Sequence, residues 1–336
     1  MSTIKKTFLI FSSAFLIITA YSAYHLLSKL PTDELHLQEK KFIQIKSVLE
    51  TKTSVSSQLK EQGIPSPKWL IQTILYASSF YQKSKAGYFE VNEKTHLYEL
   101  LLNIILDNGI KYKIYFPEGS SLKEIRKIVD NNPNLIHLTK NFSDKKIALE
   151  LGTNPNLEGL LFPSTYIFQP ATDDLAIYKQ AYALMKKYLN EVWSSRDKSI
   201  TLENSYEALI LASIIEKETG IYDSPFRISS VFNNRLKYHM KLQSDPTVIY
   251  GMDSNFDGNL RKKDLTNRTP YNTYVLKGLP PTPISSPGLK SLKAAVNPEK
   301  TNFLYFVSKG DGSSFFSEDL SKHNIAVNIF QKKREK

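Results

Sequence analysis

The chain has 336 residues, of which 41% are hydrophobic, 12% aromatic and 23% charged, so it is long enough for two compact domains and is not a disordered chain. The 44 Lys and Arg residues outnumber 33 Asp and Glu, and the net charge of +11 favours an acidic partner such as nucleic acid, anionic lipid or a polymer that bears carboxylates. Because cysteine is absent, thiol catalysis, disulfides and thiolate metal sites are excluded.

The chain begins with a basic N-terminus followed by an apolar segment. Lys5 and Lys6 precede an uncharged stretch from Phe8 to Tyr24, which is long enough for a membrane-spanning helix. Small residues at 20–23 leave a cleavable signal peptide open, but the apolar run exceeds a usual signal core, so we expect a retained anchor. Lysines on both sides of the segment make the charge rule for orientation weak. In either case we expect most of the chain outside the cytoplasm, which argues against nucleic acid as a partner.

The next part of the chain predicts a polar stalk and two small α/β segments. Residues 31–48 are polar and predict a stalk with some helix. A strand over 111–116 precedes a helix in which Ser121 and Glu124 have capping-box spacing. Neither segment carries a converging set of titratable groups, so both are predicted to be binding or spacing modules. Between the stalk and this strand, the pattern predicts helices over 54–63, 67–81 and 95–109 and a strand over 85–91.

From residue 156 onward, Gly, Pro, Asn and aromatic residues concentrate in long loops, where function tends to lie. Helices predicted over 173–193 and 204–219 frame these loops, and a strand over 302–308 precedes a polar loop and a terminal helix. The predicted fold class is α+β, with an N-terminal membrane-anchor helix, a small α/β module and a larger mixed α+β domain.

The helix predicted over 204–219 ends in two glutamates. Residues three, four and seven positions before a helical residue share its face. For Glu218 these residues are aliphatic (211, 214 and 215), whereas the corresponding face of Glu216 is smaller and more mixed. We therefore expect Glu218 to be drawn inward, where aliphatic surroundings raise the pKa of its carboxyl into the range of a general acid. The alternative is that both glutamates leave the core in the last turn.

Five segments carry a resemblance to a known family. They are "LEGLLFPSTY" (157–166), "LASIIEKETG" (211–220), "VFNNRLKYHMKLQSDPTVIYG" (231–251), "PYNTYVLKGLPPTPISSPG" (270–288) and the closing "KHNIAVNIF". Together they resemble the YceG-like (MltG) family of endolytic murein transglycosylases, and "KAGYFEV" and "FPEG" resemble its LysM-like part. In that family the second glutamate of the EKET segment is catalytic, and this position is Glu218 here.

The resemblance implies four regions. They are a cytoplasmic tail and transmembrane anchor over 1–30, a stalk and LysM-like module over 31–110, a small α/β connecting subdomain over 111–154 and a catalytic domain over 155–330. It also implies a single-pass protein of the plasma membrane with its catalytic domain outside the cytoplasm. The expected partners are nascent peptidoglycan glycan strands, the membrane and peptidoglycan synthases.

The implied reaction is non-hydrolytic cleavage of the MurNAc–GlcNAc bond, which gives a 1,6-anhydro-MurNAc end. Glu218 would donate a proton to the leaving glycosidic oxygen and then accept the proton of the C6 hydroxyl as that oxygen attacks the anomeric carbon. Because the attacking hydroxyl belongs to the substrate, neither water nor a second carboxylate is required. The reaction needs no metal ion and no organic cofactor.

Candidate substrate-binding residues lie in the loops after Glu218. Asp245 stands before a proline as helix N-caps often do, so we favour a capping or substrate-positioning role over that of a second catalytic carboxylate. Arg235 is predicted either to pair with a lactyl or peptide carboxylate or to form a helix-surface salt bridge. Amide, hydroxyl and aromatic side chains suit sugars, although tyrosines in loops are often structural. The other candidates are Gln243, Ser244, Tyr271, Asn272 and Tyr274.

Departures from the family pattern keep two alternatives open. Ser313 and Ser314 stand where relatives usually carry Gly-His, and Ser164 replaces a usual Asp. The alternatives are a catalytically weak peptidoglycan-binding scaffold and a hydrolase in which Asp245 is the second carboxylate. The segment from Asp253 to Asp264 has the offsets of an EF-hand calcium loop, but neighbouring basic residues and the lack of a clear entering helix favour a turn without metal.

Overall fold

The computed structural model of the chain describes residues 40–46, 54–64, 86–153 and 156–331. The anchor predicted over 1–30 and the helix predicted over 67–81 lie outside the described residues. Within the described ranges, none of the helices combines the length and the apolar character that a bilayer crossing requires. The chain divides into two compact units, Met1–Lys111 and Tyr112–Lys336.

Among its described residues, the first unit packs two strands and two helices around one hydrophobic cluster. In the antiparallel pair of strands, Lys41 stands opposite Val91 and Ile45 opposite Gly87. The prediction of a stalk with some helix is wrong for residues 41–45, because alternation buries Ile43 and Ile45 in an otherwise polar segment. The elements are β1 (Lys41–Ile45), α1 (Val55–Glu61), β2 (Gly87–Val91) and α2 (Leu97–Ile105).

The second unit is mixed α+β, as predicted, with antiparallel pairs β3–β4 and β5–β6. Its elements are β3 (Tyr112–Tyr115), α3 (Leu122–Asp130), α4 (Asp144–Glu150), β4 (Thr165–Phe168), α5 (Asp174–Ser194), α6 (Ser205–Glu218), α7 (Pro225–Lys237), α8 (Asp245–Met252), α9 (Lys262–Thr266), α10 (Leu289–Val296), β5 (Tyr305–Ser308), β6 (Ser314–Ser317) and α11 (Leu320–Phe330). The predicted capping box is confirmed, since the Ser121 side chain accepts from the Glu124 backbone and Glu124 accepts from the Ser121 backbone.

Two strands of this unit occur where the sequence predicts loops. β4 lies in the proline-flanked segment "FPSTYIFQP", and β6 lies in the polar loop after β5. Each has only four residues, too few for alternation to be distinguished from a loop, and each forms by pairing with a strand that was predicted.

The described residues of the second unit form two hydrophobic clusters. One contains residues between Ile114 and Ala181, including Phe116, whose ring lies 5.2 Å from that of Tyr166. The predicted boundary at 154/155 therefore falls inside one cluster. The other cluster surrounds α6, which packs against α5, α7 and α10. Because α6 lies within this cluster, the residues at its C-terminal end have a fixed position.

Candidate active site at the end of the buried helix

Glu218 is the last residue of α6. The N-cap of the helix is Asn204, whose side chain accepts a hydrogen bond from the Glu207 backbone at 3.0 Å. The C-cap is Thr219, whose hydroxyl donates to the carbonyl of Ile215 at 2.7 Å. Side-chain hydrogen bonds therefore define both ends of α6, and its aliphatic face is fully buried, as predicted.

Glu216 and Glu218 have different roles in the structure. The Glu216 carboxylate accepts the backbone N–H of Gly288 at 3.0 Å, and Gly288 is the N-cap of α10. The loop before Gly288 is held to the same helix, because the Ile284 N–H donates to Ser213 Oγ at 3.0 Å. Glu216 therefore fastens a neighbouring loop to α6.

Glu218 is half-buried, and Ser244 Oγ donates to its Oε1 at 2.6 Å. The pKa of Glu218 is raised to about 7, chiefly by burial; the Ser244 hydrogen bond opposes the rise, the charge of Asp245 adds to it, and the charge of Arg235 opposes it. The predicted rise in pKa is confirmed. Within the described residues, no hydrogen bond engages Oε2. The carboxyl therefore keeps one oxygen for proton exchange and titrates near neutral pH.

Asp245 is exposed, and Tyr274 Oη donates to its Oδ1 at 2.6 Å. The capping role predicted for Asp245 is wrong, because Ser244 occupies the N-cap position and Asp245 is the first residue of α8. Burial raises the pKa of Tyr274, and the charges of Asp245 and Glu218 add to that rise. Glu218, Ser244, Asp245 and Tyr274 thus form one polar group.

The loop before α8 places Ser244 beneath the Glu218 carboxyl. The Ser244 backbone N–H donates to Thr273 Oγ1 at 3.0 Å, and its carbonyl accepts from Thr247 Oγ1 at 2.6 Å. Gln243 is exposed, and its backbone has a left-handed φ of 50°. Ser244 is buried and held from both sides, whereas the Gln243 side chain is available to a ligand.

Two predicted substrate contacts are instead buried supports of these loops. The Arg235 guanidinium donates to the carbonyls of Leu304 and Leu242, each at 2.7 Å. The surface salt bridge predicted for Arg235 is therefore wrong, and its buried donors face backbone rather than solvent. Asn272 is fully buried and holds the backbone of Tyr274 through its Oδ1 at 2.9 Å. Its amide group donates to the carbonyls of Asp264, Leu265 and Asn267.

Tyr271 faces a separate cleft of about 1380 Å³. Its ring packs edge-on against Tyr250 at 4.8 Å. The cleft is also lined by Glu158, a buried carboxyl that accepts from Leu122 N at 3.0 Å and from Tyr250 Oη at 3.1 Å. Burial raises the pKa of Glu158 to about 7. Tyr250 follows Asp245 by about 7.5 Å along α8, so this helix extends from the Glu218 group to the cleft.

Glu158 is not among the site residues predicted from the sequence. It occurs in "LEGLL" and is identified above only as part of the resemblance. The sequence does contain one indication: Glu158 is a single carboxyl inside an apolar segment. A carboxyl in such a position is expected to be buried and to accept hydrogen bonds from nearby donors.

The loop with the departures from the family pattern packs on the turn after Glu218. The backbone and hydroxyl of Ser314 donate to the Asp223 carboxylate at 2.9 and 2.7 Å. A Cβ at Gly220 would lie 2.7 Å from the Gly312 carbonyl oxygen, so the two backbones approach at the distance that glycine permits. Ser314 therefore helps to fix the turn.

The calcium-like segment uses its carboxylates on protein partners. Asp257 pairs with Arg261 at 2.6 Å, and Asp253 with Lys123 at 3.5 Å. Asp264 accepts the backbone N–H of Arg261 at 2.8 Å at the start of α9. The three carboxylates bind different partners, which favours the turn over the calcium loop.

Comparisons with known proteins agree with the resemblance. The YceG-like family matches residues 44–329. A Bacillus subtilis protein named endolytic murein transglycosylase is 32% identical over 265 residues, which cover 72% of each chain. A Streptococcus pneumoniae protein of the same name is 31% identical over 54% of this chain and 34% of its own length. A crystal structure of a YceG-like protein from Listeria monocytogenes has a TM-score of 0.55 at 28% identity, and the match covers 86% of this chain and 99% of that one. The chain belongs to the YceG-like family.

Proposed function

We propose that the protein is an endolytic lytic transglycosylase that cleaves MurNAc–GlcNAc bonds in nascent peptidoglycan strands. The observation that carries the proposal is the Glu218 carboxyl, half-buried, with a pKa near 7 and one oxygen free of hydrogen bonds to described residues. The names of the Bacillus and Streptococcus relatives support the reaction class.

In the proposed reaction, Glu218 acts first as an acid and then as a base. Protonated Glu218 donates from Oε2 to the glycosidic oxygen, while Ser244 holds Oε1 in place. As the C–O bond breaks, positive charge develops at the anomeric carbon, and the exposed Asp245 carboxylate stabilises it electrostatically. The C6 hydroxyl then attacks this carbon, and its proton passes to ionised Glu218. The product is a 1,6-anhydro end, and Glu218 is again protonated.

We propose that Gln243, Asp245 and Tyr274 contact the sugars next to Glu218. Gln243 and Asp245 flank Ser244 in the sequence, and Tyr274 donates a hydrogen bond to Asp245. Tyr271 lines the cleft with Glu158, where it would contact a more distant part of the strand.

Digestion of purified sacculi, with mass spectrometry of the products, tests the proposal. The wild type is expected to release fragments with anhydro ends, and Glu218→Gln is expected to lower their rate of release by about 10²–10⁴-fold, the usual contribution of a general acid or base. Glu216→Gln is the matched control, because glutamine can still accept the Gly288 N–H and activity should persist. Reducing ends would instead identify a hydrolase, and binding without cleavage would identify a scaffold.

We also propose that residues 1–30 anchor the protein in the plasma membrane, with the catalytic domain outside the cytoplasm. The length of the uncharged stretch Phe8–Tyr24 supports an anchor at this position. The net charge of +11 suits anionic lipid and stem-peptide carboxylates. Peptidoglycan synthases are the proposed protein partners. Protease digestion of intact spheroplasts should remove the catalytic domain, and full protection would contradict this orientation.

A further inference from the structure

A cluster of metal-ligating side chains lies in the second unit outside the Glu218 group. It consists of Asp130, His137 and Asp174, and one ligand atom from each lies within 4.8 Å of the others. Asp130 ends α3, His137 lies in the following loop, and Asp174 begins α5. The cluster is independent of the proposed function.

The backbone brings these three residues together. The Ile136 N–H donates to the carbonyl of Thr172 at 2.9 Å, and the Asp174 N–H donates back to the carbonyl of Ile136 at 3.0 Å. This bridge fixes His137 beside the start of α5. The Asp174 carboxylate is oriented in turn by Thr139, whose backbone and hydroxyl donate to it at 3.0 and 2.8 Å.

A fourth polar group lies on the helix that carries Asp174. Tyr178 is fully buried and lies one helical turn after Asp174, on the same face of α5. Its hydroxyl has no hydrogen-bond partner among the described residues. Burial is the largest cause of the raised pKa of Tyr178; the charge of Arg126 opposes the rise, and the charges of Asp130 and Asp174 add to it.

Two of the other ligand atoms are also buried without a partner in the described chain, namely Asp130 Oδ1 and His137 Nδ1. A buried polar atom without a partner costs about 1–3 kcal/mol, and such atoms are rare in native proteins. Two of them in one cluster, with a third on the helix that carries Asp174, indicate that a further group joins them.

The charge of the cluster identifies the class of that group. Asp130 and Asp174 contribute two negative charges. Arg126 lies within electrostatic reach of Asp130 and Tyr178, but its guanidinium pairs with Asp144 at 2.6 Å and donates to the carbonyls of Thr139 and Phe142. A neutral water molecule would bind the unpartnered atoms but would not offset the charge of two carboxylates that lie close together. A divalent cation would bind these atoms and also offset the negative charge.

We propose that Asp130, His137, Asp174 and Tyr178 form a structural site for a divalent first-row transition ion, with Zn²⁺ as the best match to one imidazole and three oxygen donors. Four ligands of this kind suit the tetrahedral coordination of Zn²⁺. The ion would join the end of α3 and its following loop to the start of α5. It takes no part in glycan cleavage.

The test uses the full chain without an affinity tag, stripped of metal by a chelating resin and equilibrated with Zn²⁺. We expect the wild type to bind one Zn²⁺ per chain and to show a higher thermal midpoint with Zn²⁺ than without it. His137→Ala and Asp130→Asn should lose both effects, and Tyr178→Phe should weaken binding by about tenfold or more. His239→Asn is the control, because His239 is exposed and asparagine tolerates its left-handed φ of 51°.

Glu218→Gln should bind Zn²⁺ like the wild type, so failure of the metal site and failure of the proposed catalysis are distinguishable. Co²⁺ in place of Zn²⁺ should give the intense visible absorption of four-coordinate cobalt, which reports on the site even if a variant folds poorly. Absence of stoichiometric binding by the wild type, or equal binding by folded His137→Ala, would overturn the proposal.

Discussion

Glu216 and Glu218 lie two residues apart on one helix, yet their surroundings give them different tasks. The Glu216 carboxylate accepts the N–H of Gly288 at the N-cap of a neighbouring helix. Glu218 accepts a hydrogen bond from Ser244, and its second oxygen is free of hydrogen bonds to described residues. The pKa of Glu218 rises to about 7 because burial disfavours its charged form and because Asp245 lies close. One residue type is therefore structural at one position and suited to acid–base chemistry at the other.

Asp245→Asn should shift the pH dependence of kcat/KM to lower pH. The charge of Asp245 helps to raise the pKa of Glu218, so its removal lowers that pKa, and Glu218 loses its proton at a lower pH. Activity should fall by about tenfold to a hundredfold, since one electrostatic stabiliser is lost. The matched control is Glu118→Gln, which changes a carboxyl next to Glu216 instead. Complete loss of activity at every pH would favour a nucleophilic role for Asp245.

Glu218→Gln should stabilise the protein at pH 8 more than at pH 5. The folded state holds the Glu218 proton up to about pH 7, while the unfolded state releases it near 4.5. The folded state thus binds more protons between these values, and its stability relative to the variant declines as pH rises through this window. Urea denaturation should show a relative gain on the order of 1–3 kcal/mol at pH 8. Equal effects at the two pH values would show that the carboxyl titrates normally.

At the scale of elements, tight loop contacts hold the buried helix in place. Gly159 has a left-handed φ of 74°, and a Cβ there would lie 2.5 Å from Pro283 Cβ and 3.0 Å from the carbonyl oxygen of Ser285. The Pro283 loop is the one that bonds to α6 through Ser213. The position of Glu218 therefore depends on loops far away in sequence.

Gly159→Ala should destabilise the protein much more than Gly152→Ala. Gly152 also has a left-handed φ, of 68°, but no atom lies within 4 Å of the added Cβ. Both variants carry the backbone strain of about 1–2 kcal/mol, and only Gly159→Ala adds the clash. Thermal unfolding of the two variants measures the difference. Equal midpoints would mean that the Pro283 loop moves away freely.

The long helices and the capping box could be predicted because periodicity and caps are local signals. Glu218 could be identified as a candidate for the same reason, since the residues three, four and seven positions before it determine which helical face it shares. The pairing of β4 and β6, the burial of Asn272 and the backbone contacts of Arg235 depend on residues distant in sequence. The proline after Asp245 predicts a capping or substrate-positioning role; the capping role is wrong because Ser244, held by Thr273, occupies the N-cap position.

At the scale of the whole molecule, each hydrophobic cluster of the described residues lies within one of the two units. One cluster lies within residues 43–104, and the other two lie within residues 114–181 and 162–296. The Glu218 group and the proposed metal cluster both belong to the second unit. Folding of this unit and catalysis by it should therefore require only its own residues.

A fragment of residues 112–336 should fold cooperatively and release anhydro ends from sacculi. Each of its clusters is complete, so its thermal unfolding should be a single transition by circular dichroism. The same fragment with Glu218→Gln is the control for product formation. A fragment that remains unfolded would show that the first unit supplies contacts essential to the second.

A titration of the Glu218 carboxyl in the free enzyme tests most directly whether this group can act as both acid and base. The titration is followed by carbon-detected NMR, and the signal is assigned by its loss in Glu218→Gln. We expect a midpoint near pH 7, because the proposed reaction requires Glu218 to carry a proton at neutral pH and then to take one back. A midpoint at the ordinary value of a glutamate, near 4.5, would contradict it.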